Sequence, residues 1–399
     1  MAGLQFSSEV HWCYICNAVV RWYVIITFVA QTQNPFHPAF GAPPPVLIGR
    51  EDVLSDVRDG MLEGAGSEYR TNKVIGPRGV GKTVVLEAAA NVARVEGWVV
   101  VNVTASASML NEILELASDR TAHLMGSNNR ALTQVGLGPV SVGFAKPETK
   151  REPGWRVQME KILDQLEQRG TGLFFTVDEV STRHEALQEF GKRYQHFQRE
   201  GRNVALLVAG LPLNMEEFQK LPDTTFIRRA IPHELSNVPI PAVRRALLET
   251  FTENGRKVEN DALRYAADAT EGYPFLVQLV GAQIWRRSGN GVVTLAEAEA
   301  GVEAARRRIG ETVHSSSMAD LSPVAKTFLI KMAQDDGPSR MKDITERAGW
   351  SAEQSNVYRS RLITAGMIRP AKHGYVEFAF PYLREYLLEH AATLVWTET

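Results

Sequence analysis

Cysteine is nearly absent. The 399 residues contain two, Cys13 and Cys16, which excludes a disulfide framework and fits a reducing cytoplasm. They form a C-x-x-C, but no second pair follows, so the spacing does not make a zinc site. Excess charge of one sign is also lacking: 44 Lys and Arg face 46 Asp and Glu, for a net charge of −2. A generally basic, nucleic-acid-coating surface is thereby excluded, and any contact with DNA must be local. There is no internal repeat, no long low-complexity tract and no nuclease or protease constellation. His184, His196 and His233 are scattered and read as structural or exposed rather than metal-ligating. What remains is an ordinary globular composition, 44% hydrophobic and 23% charged, long enough for two or three domains.

The first 33 residues do not match the rest. WCYICNAVVRWYVIITFVA (12–30) is apolar, but it is short for a membrane span and carries Arg21 at its middle, which is costly in lipid. It has neither the basic start nor the cleavage site of a signal peptide. It reads as an extra buried element, a weak anchor, or translated upstream sequence that the working protein does not carry. The last is favoured, because the Pro-rich QNPFHPAFGAPPP (33–45) makes a natural domain entrance.

The most informative stretch is GPRGVGKT (76–83), a G-x-x-x-x-G-K-[ST] loop. Glycines let the backbone wrap close to phosphates, and successive N–H groups form an anion nest at the start of a helix. Lys82 is expected on the β- and γ-phosphates and the Thr83 hydroxyl on Mg²⁺. The β-branched run NKVIG precedes the loop and the Ala-rich TVVLEAAANVARVEG follows it, the strand–loop–helix order this chemistry requires. The nucleotide-binding set is Gly76, Pro77, Arg78, Gly79, Val80, Gly81, Lys82, Thr83 and Val84, and the ligands are ATP or ADP with Mg²⁺.

A second buried strand supplies acids. In GLFFTVDEV (172–180), the run Leu173 to Val177 is apolar apart from Thr176, as a central parallel strand should be. Asp178 and Glu179 follow at its C-terminal end, where α/β sheets place ligands. Asp178 is expected to hold Mg²⁺, and Glu179 to orient or deprotonate an attacking water.

Strand and helix alternate up to about residue 232, which predicts a parallel sheet with helices on both faces. Four helices punctuated by Gly and Pro follow. From about residue 320 come a helix, a helix–turn–helix and a hairpin around His373-Gly374, the order of a winged helix. The expected fold class is therefore α/β: a P-loop core, an all-α lid and a winged-helix domain. The expected divisions are 1–33, an N-terminal extension; 34–232, the core; 233–318, the lid; and 319–399, the winged helix.

This order of parts, with GPRGVGKT, FFTVDEV and EGYPFLVQL, resembles the AAA+ superfamily, and within it the Orc1/Cdc6-type and STAND-type ATPases. The resemblance covers about residues 34 to 392. It implies base contacts from Ile48, Gly49 and Arg50 of LIGRED, and from Tyr273 and Pro274 of the Gly-x-Pro-like lid start. It also implies an arginine finger acting on a neighbouring subunit. Arg229, in TTFIRRAIPHEL, takes that place and would make the protein self-associate. Two departures matter: the strand ending AGLPLN has no polar residue at its tip, leaving Asn214 as a distant substitute, and the lid has Gly272-Tyr273-Pro274 where initiators often have a sensor arginine.

In the second helix of the helix–turn–helix, Ser355, Asn356, Arg359 and Arg361 are expected on or near the exposed face, with Val357 in the core. Arg369 and Lys372 extend the basic strip into the hairpin, a candidate contact to the phosphates of double-stranded DNA. Two functions follow. One is an ATPase switch coupled to DNA. The other is a STAND-type regulator that binds ATP or ADP with little turnover and uses the winged helix for protein contacts. A membrane role is not expected of either.

Overall fold

Five short strands carry the core: β1 (Thr71–Ile75), β2 (Val99–Thr104), β3 (Leu173–Val180), β4 (Val204–Gly210) and β5 (Ile231–Glu234). All neighbours are parallel, in the order β2-β3-β4-β1-β5. The protein was analysed as a computed structural model, which describes residues 33–39, 47–125, 154–183, 185–289, 291–319 and 321–395. The apolar segment 12–30 and residues 126–153 lie outside them. Contacts divide the chain into Met1–Asn34 and Pro35–Thr399, and the second unit is the one described. Among the described residues, no helix is long and apolar enough to cross a membrane.

Side-chain alternation explains the layering. Along β3, Leu173, Phe175 and Val177 face one side of the sheet and Phe174 the other. The first set packs against α3 (Met109–Met125), α4 (Trp155–Glu167) and α5 (Glu185–Arg199). Phe174 packs with α1 (Glu51–Leu62) and α2 (Lys82–Val95). Both faces are covered, so the strands read as continuous apolar runs. Phe174 and Phe175 are fully buried, each contributing about 1.5–3 kcal/mol relative to exposure.

After β4 come α6 (Pro212–Lys220) and the short α7 (Thr225–Arg229). The lid follows β5: α8 (Ile240–Glu253), α9 (Asn260–Asp268), α10 (Pro274–Arg287) and α11 (Leu295–Ile309). Thr294 and Glu297 form a capping box that fixes the start of α11. The lid is not wholly helical: β6 (Lys257–Val258) pairs with β7 (Val292–Val293). Phe36 of the Pro-rich entrance is buried against Phe251, with ring centroids 5.0 Å apart, and against Gly281, where any Cβ would strike its ring.

A π-turn, Gly310–His314, runs from α11 into α12 (Ser315–Ala319). Next are α13 (Pro323–Met332), β8 (Ser339–Arg340), α14 (Met341–Ala348), α15 (Ala352–Thr364), β9 (Ile368–Pro370), β10 (Tyr375–Phe378) and α16 (Leu383–Val395). Gly349 ends α14 in the left-handed conformation and makes the turn into α15. The hairpin β9–β10 gains a third strand, β8, giving the sheet β8-β10-β9. One hydrophobic cluster joins Phe251 and Leu276 of the lid to Phe328, Leu362 and Val376. The core thus continues across the division expected at 318/319.

Candidate nucleotide site

The loop 76–81 joins the end of β1 to the start of α2, so its N–H groups and the positive end of α2 meet at the carboxyl edge of the sheet. Gly81 caps the helix at φ +94°, and a Cβ there would meet nothing within 4 Å. Backbone conformation alone therefore selects glycine at this position. Gly79 differs. At φ +73°, its Cβ would fall 1.6 Å from the hydroxyl oxygen of Tyr273. Close approach by the lid, as well as backbone shape, requires glycine there.

The side chains expected to act on phosphate converge. Lys82 Nζ donates to the carbonyls of Gly76 at 2.9 Å and Pro77 at 2.7 Å. Burial pushes its pKa down to about 8; Asp178 and Glu179 oppose that fall and Arg78 adds to it. Thr83 Oγ1 donates to Asp178 Oδ2 at 2.6 Å. The other carboxylate oxygen, Oδ1, accepts the Glu179 backbone N–H at 2.8 Å. Glu179 itself has φ +58°, a conformation that costs a non-glycine residue about 1–2 kcal/mol. The β3–β4 register shifts between Val177 and Val180, so a bulge turns Glu179 out of the strand at the cleft.

These groups line one cleft of about 870 Å³. Arg78, Gly79, Val80, Gly81, Lys82, Thr83, Val84, Asp178 and Glu179 border it, as do Ile48, Arg50 and Pro274. Five cations, Arg50, Arg78, Lys82, Arg183 and Arg361, face two carboxylates across it. A polyanion fits that balance. The Thr83 hydroxyl and the Asp178 carboxylate are paired oxygen donors of the type Mg²⁺ takes, so the residues present fit a magnesium nucleotide.

Other expected residues are placed differently. Gly49, Gly76, Pro77 and Tyr273 are not on the cleft wall. The Gly76 and Pro77 carbonyls instead hold Lys82. Gly49 accepts from Arg50 Nη1 at 2.9 Å through its carbonyl. Arg50 Nη2 donates to the Ser236 carbonyl at 2.8 Å and the Val80 carbonyl at 3.4 Å. The Arg50 guanidinium thus braces loop, entrance and lid rather than pointing a free donor at a base. Tyr273 is buried: its hydroxyl lies 3.5 Å from the Arg78 carbonyl, and its ring meets Phe380 edge-on at 6.1 Å. Its partner is the loop backbone, because Gly79 leaves room for it. Arg229 is exposed at the end of α7, away from the cleft, and its side chain has no partner among the described residues.

The helix–turn–helix residues also divide. Asn356 is exposed and Arg359 half-buried. Ser355 is buried, which corrects its placement on the exposed face; Val357, expected in the core, is 47% exposed. Leu362, also expected in the core, is buried, so the helix departs from the orientation read from its sequence at Ser355 and Val357. Arg369 pairs with Glu377 at 2.6 Å. The Lys372 ammonium sits 4.2 Å from the Tyr375 ring centre. Arg361, exposed, lines the cleft. Sequence reading also missed Arg183, Gln278 and the cleft-facing position of Asn214. Asn214 carried a signal, its place just after β4; Arg183 and Gln278 carried none.

Comparison with known proteins agrees with the architecture. The fold is similar to that of the Walker-type ATPase PABY2304 of Pyrococcus abyssi, with 14% identity, a TM-score of 0.61, and 86% of this chain and 96% of that chain covered. It is also similar to the ORC2 protein of Aeropyrum pernix in ADPNP–ADP complexes: 16% identity, TM-score 0.61, and 90% and 96% covered. At these identities the likeness establishes the fold alone. A family described as a domain of unknown function (DUF8462) matches residues 311–387. No curated protein matches the sequence.

Proposed function

We propose that the chain is an ATP-binding, Mg²⁺-dependent ATPase acting as a nucleotide-driven switch on a C-terminal winged helix. The observation that carries this reading is the convergence of Lys82, Thr83, Asp178 and Glu179 on one cleft. Thr83 and Asp178 would hold the ion, which supplies charge neutralisation at the phosphates. Lys82 would leave the Gly76 and Pro77 carbonyls and bind the β- and γ-phosphates. Glu179, set beside the ion ligands by its bulge, would orient water and accept its proton at a carboxylate oxygen. Ile48 and Pro274 would flank the base. Arg229, exposed and without a partner among the described residues, would act on a neighbouring copy.

The ORC2 relative was solved with ADP and an ATP analogue, which supports the nucleotide assignment. DNA binding rests on Asn356, Arg359 and Lys372, with Arg369 contributing when released from Glu377. ATP turnover by the full chain, with and without duplex DNA at several salt concentrations, tests both parts. Turnover that DNA stimulates, with retention on DNA falling steeply as salt rises, supports the switch.

One observation favours the alternative of a STAND-type regulator with little turnover. β4 runs into Leu211-Pro212 with no polar residue at its tip. ATP bound but not hydrolysed would decide for that reading.

A further inference from the structure

The C-terminal end of α15 is seated on the nucleotide loop. Gly366, at φ +70° just past α15, has Arg78 Cγ 3.7 Å and Leu211 Cδ2 4.0 Å from the place a Cβ would occupy. α15 packs on α6, the helix that follows β4 and bears Asn214. The corner Arg361, Thr364, Ala365 and Met367 forms part of the cleft wall. Arg361 is exposed there. Its guanidinium makes no hydrogen bond or ion pair among the described residues, and lies 5.4 Å from the Tyr358 ring centre.

Position indicates which part of a nucleotide it would meet. Leu211 and Asn214 follow β4, the direct neighbour of β3, which ends in Asp178 and Glu179. The apolar end of the cleft, with Ile48, Phe275 and Val277, is built from the entrance and the lid. Arg361 therefore enters from the catalytic side. An unpaired guanidinium beside phosphates forms charge-assisted, often bidentate hydrogen bonds.

We propose that Arg361 binds the terminal phosphate of ATP in the same chain, so that the triphosphate, more than the diphosphate, holds the C-terminal domain on the core. This rests on the nucleotide-binding reading above. Coupling is reciprocal: if docking strengthens ATP binding, ATP strengthens docking by the same factor. The docked corner also withdraws Arg361 from DNA, so the two nucleotide states would differ in the surface α15 offers.

The test is equilibrium binding of ATP, a non-hydrolysable ATP analogue and ADP to the full chain, to Arg361→Gln and to Arg361→Lys. Glu353→Gln, at an exposed position on the same helix but off the cleft, is the control. Loss of one charge-assisted contact should weaken ATP and its analogue by about tenfold or more in Arg361→Gln. ADP affinity should be nearly unchanged, with Arg361→Lys intermediate and Glu353→Gln like the wild type. Equal losses for ATP and ADP, or no loss for either, would overturn the proposal. A wild-type chain that binds neither nucleotide would overturn the nucleotide reading itself, and is a distinct result.

Discussion

Thr83 Oγ1 and Asp178 Oδ2 meet at 2.6 Å across 95 residues of sequence. The loop–helix unit and the end of β3 are thereby registered at the two oxygens expected to hold Mg²⁺. Thr83→Ala and Asp178→Asn should each reduce turnover by roughly a hundredfold, the scale of a metal contribution of several kcal/mol. Chelating Mg²⁺ should weaken ATP binding in the wild type and change little in either variant. Calorimetric titration with and without the ion checks this.

Glu179 combines a functional position with an unfavourable backbone. Glu179→Gln should keep ATP affinity and lower turnover by about 10²- to 10⁴-fold, as expected for loss of a general base. Glu179→Gly removes the left-handed penalty as well as the carboxylate, so the protein should gain about 1 kcal/mol of stability while losing turnover. Thermal melting beside a phosphate-release assay distinguishes the two effects.

Lys82 makes binding depend on pH. Its pKa in the folded chain is about 8, below the ordinary 10.5. Phosphates recruit the charged form, so ATP affinity is full below pH 8 and falls as pH rises above it, with uptake of one proton on binding. The stability sign follows separately. Between pH 8 and 10.5 the unfolded chain holds a proton that the folded chain lacks, so this group makes the nucleotide-free protein more stable as pH rises through that window. ATP titrations from pH 7 to 9.5 in two buffers of different ionisation heat measure the proton uptake, which Lys82→Met should abolish.

Tyr273 and Gly79 form a joint between lid and loop. Gly79→Ala places a methyl carbon against the Tyr273 hydroxyl at a positive φ and should weaken both stability and ATP affinity. Tyr273→Phe loses only a 3.5 Å hydrogen bond and removes the nearest clashing atom, but its ring carbons stay too close for a Cβ, so combining it with Gly79→Ala should recover only a small part of the loss. Tyr273→Ala leaves a cavity and should cost about 3–5 kcal/mol. Denaturant melts of the four variants check the order.

Legibility followed sequence distance. GPRGVGKT could be read because its chemistry is local: eight consecutive residues determine the loop, and the flanking runs identify strand and helix. Asp178 and Glu179 could be read because a buried strand announces its own end. The bulge at Glu179 could not, since it depends on the register with β4. The role of Tyr273 could not, because its partner, Gly79, lies 194 residues earlier. The burial of Ser355 and exposure of Val357 on α15 depend on packing against α13 and α14 more than on the helix's own weak periodicity. Arg361 looked like part of a basic strip for the same reason. Only the seating of the α15 corner on Arg78 and Leu211 shows where it faces.

The most direct test of the central claim is ATP binding and turnover measured side by side for the wild type, Lys82→Ala and Glu179→Gln. The account predicts a wild type that binds and hydrolyses ATP, a Lys82→Ala chain that binds weakly, and a Glu179→Gln chain that holds ATP without turning it over. Nucleotide binding that Lys82→Ala leaves intact, or turnover that survives in Glu179→Gln, would contradict it.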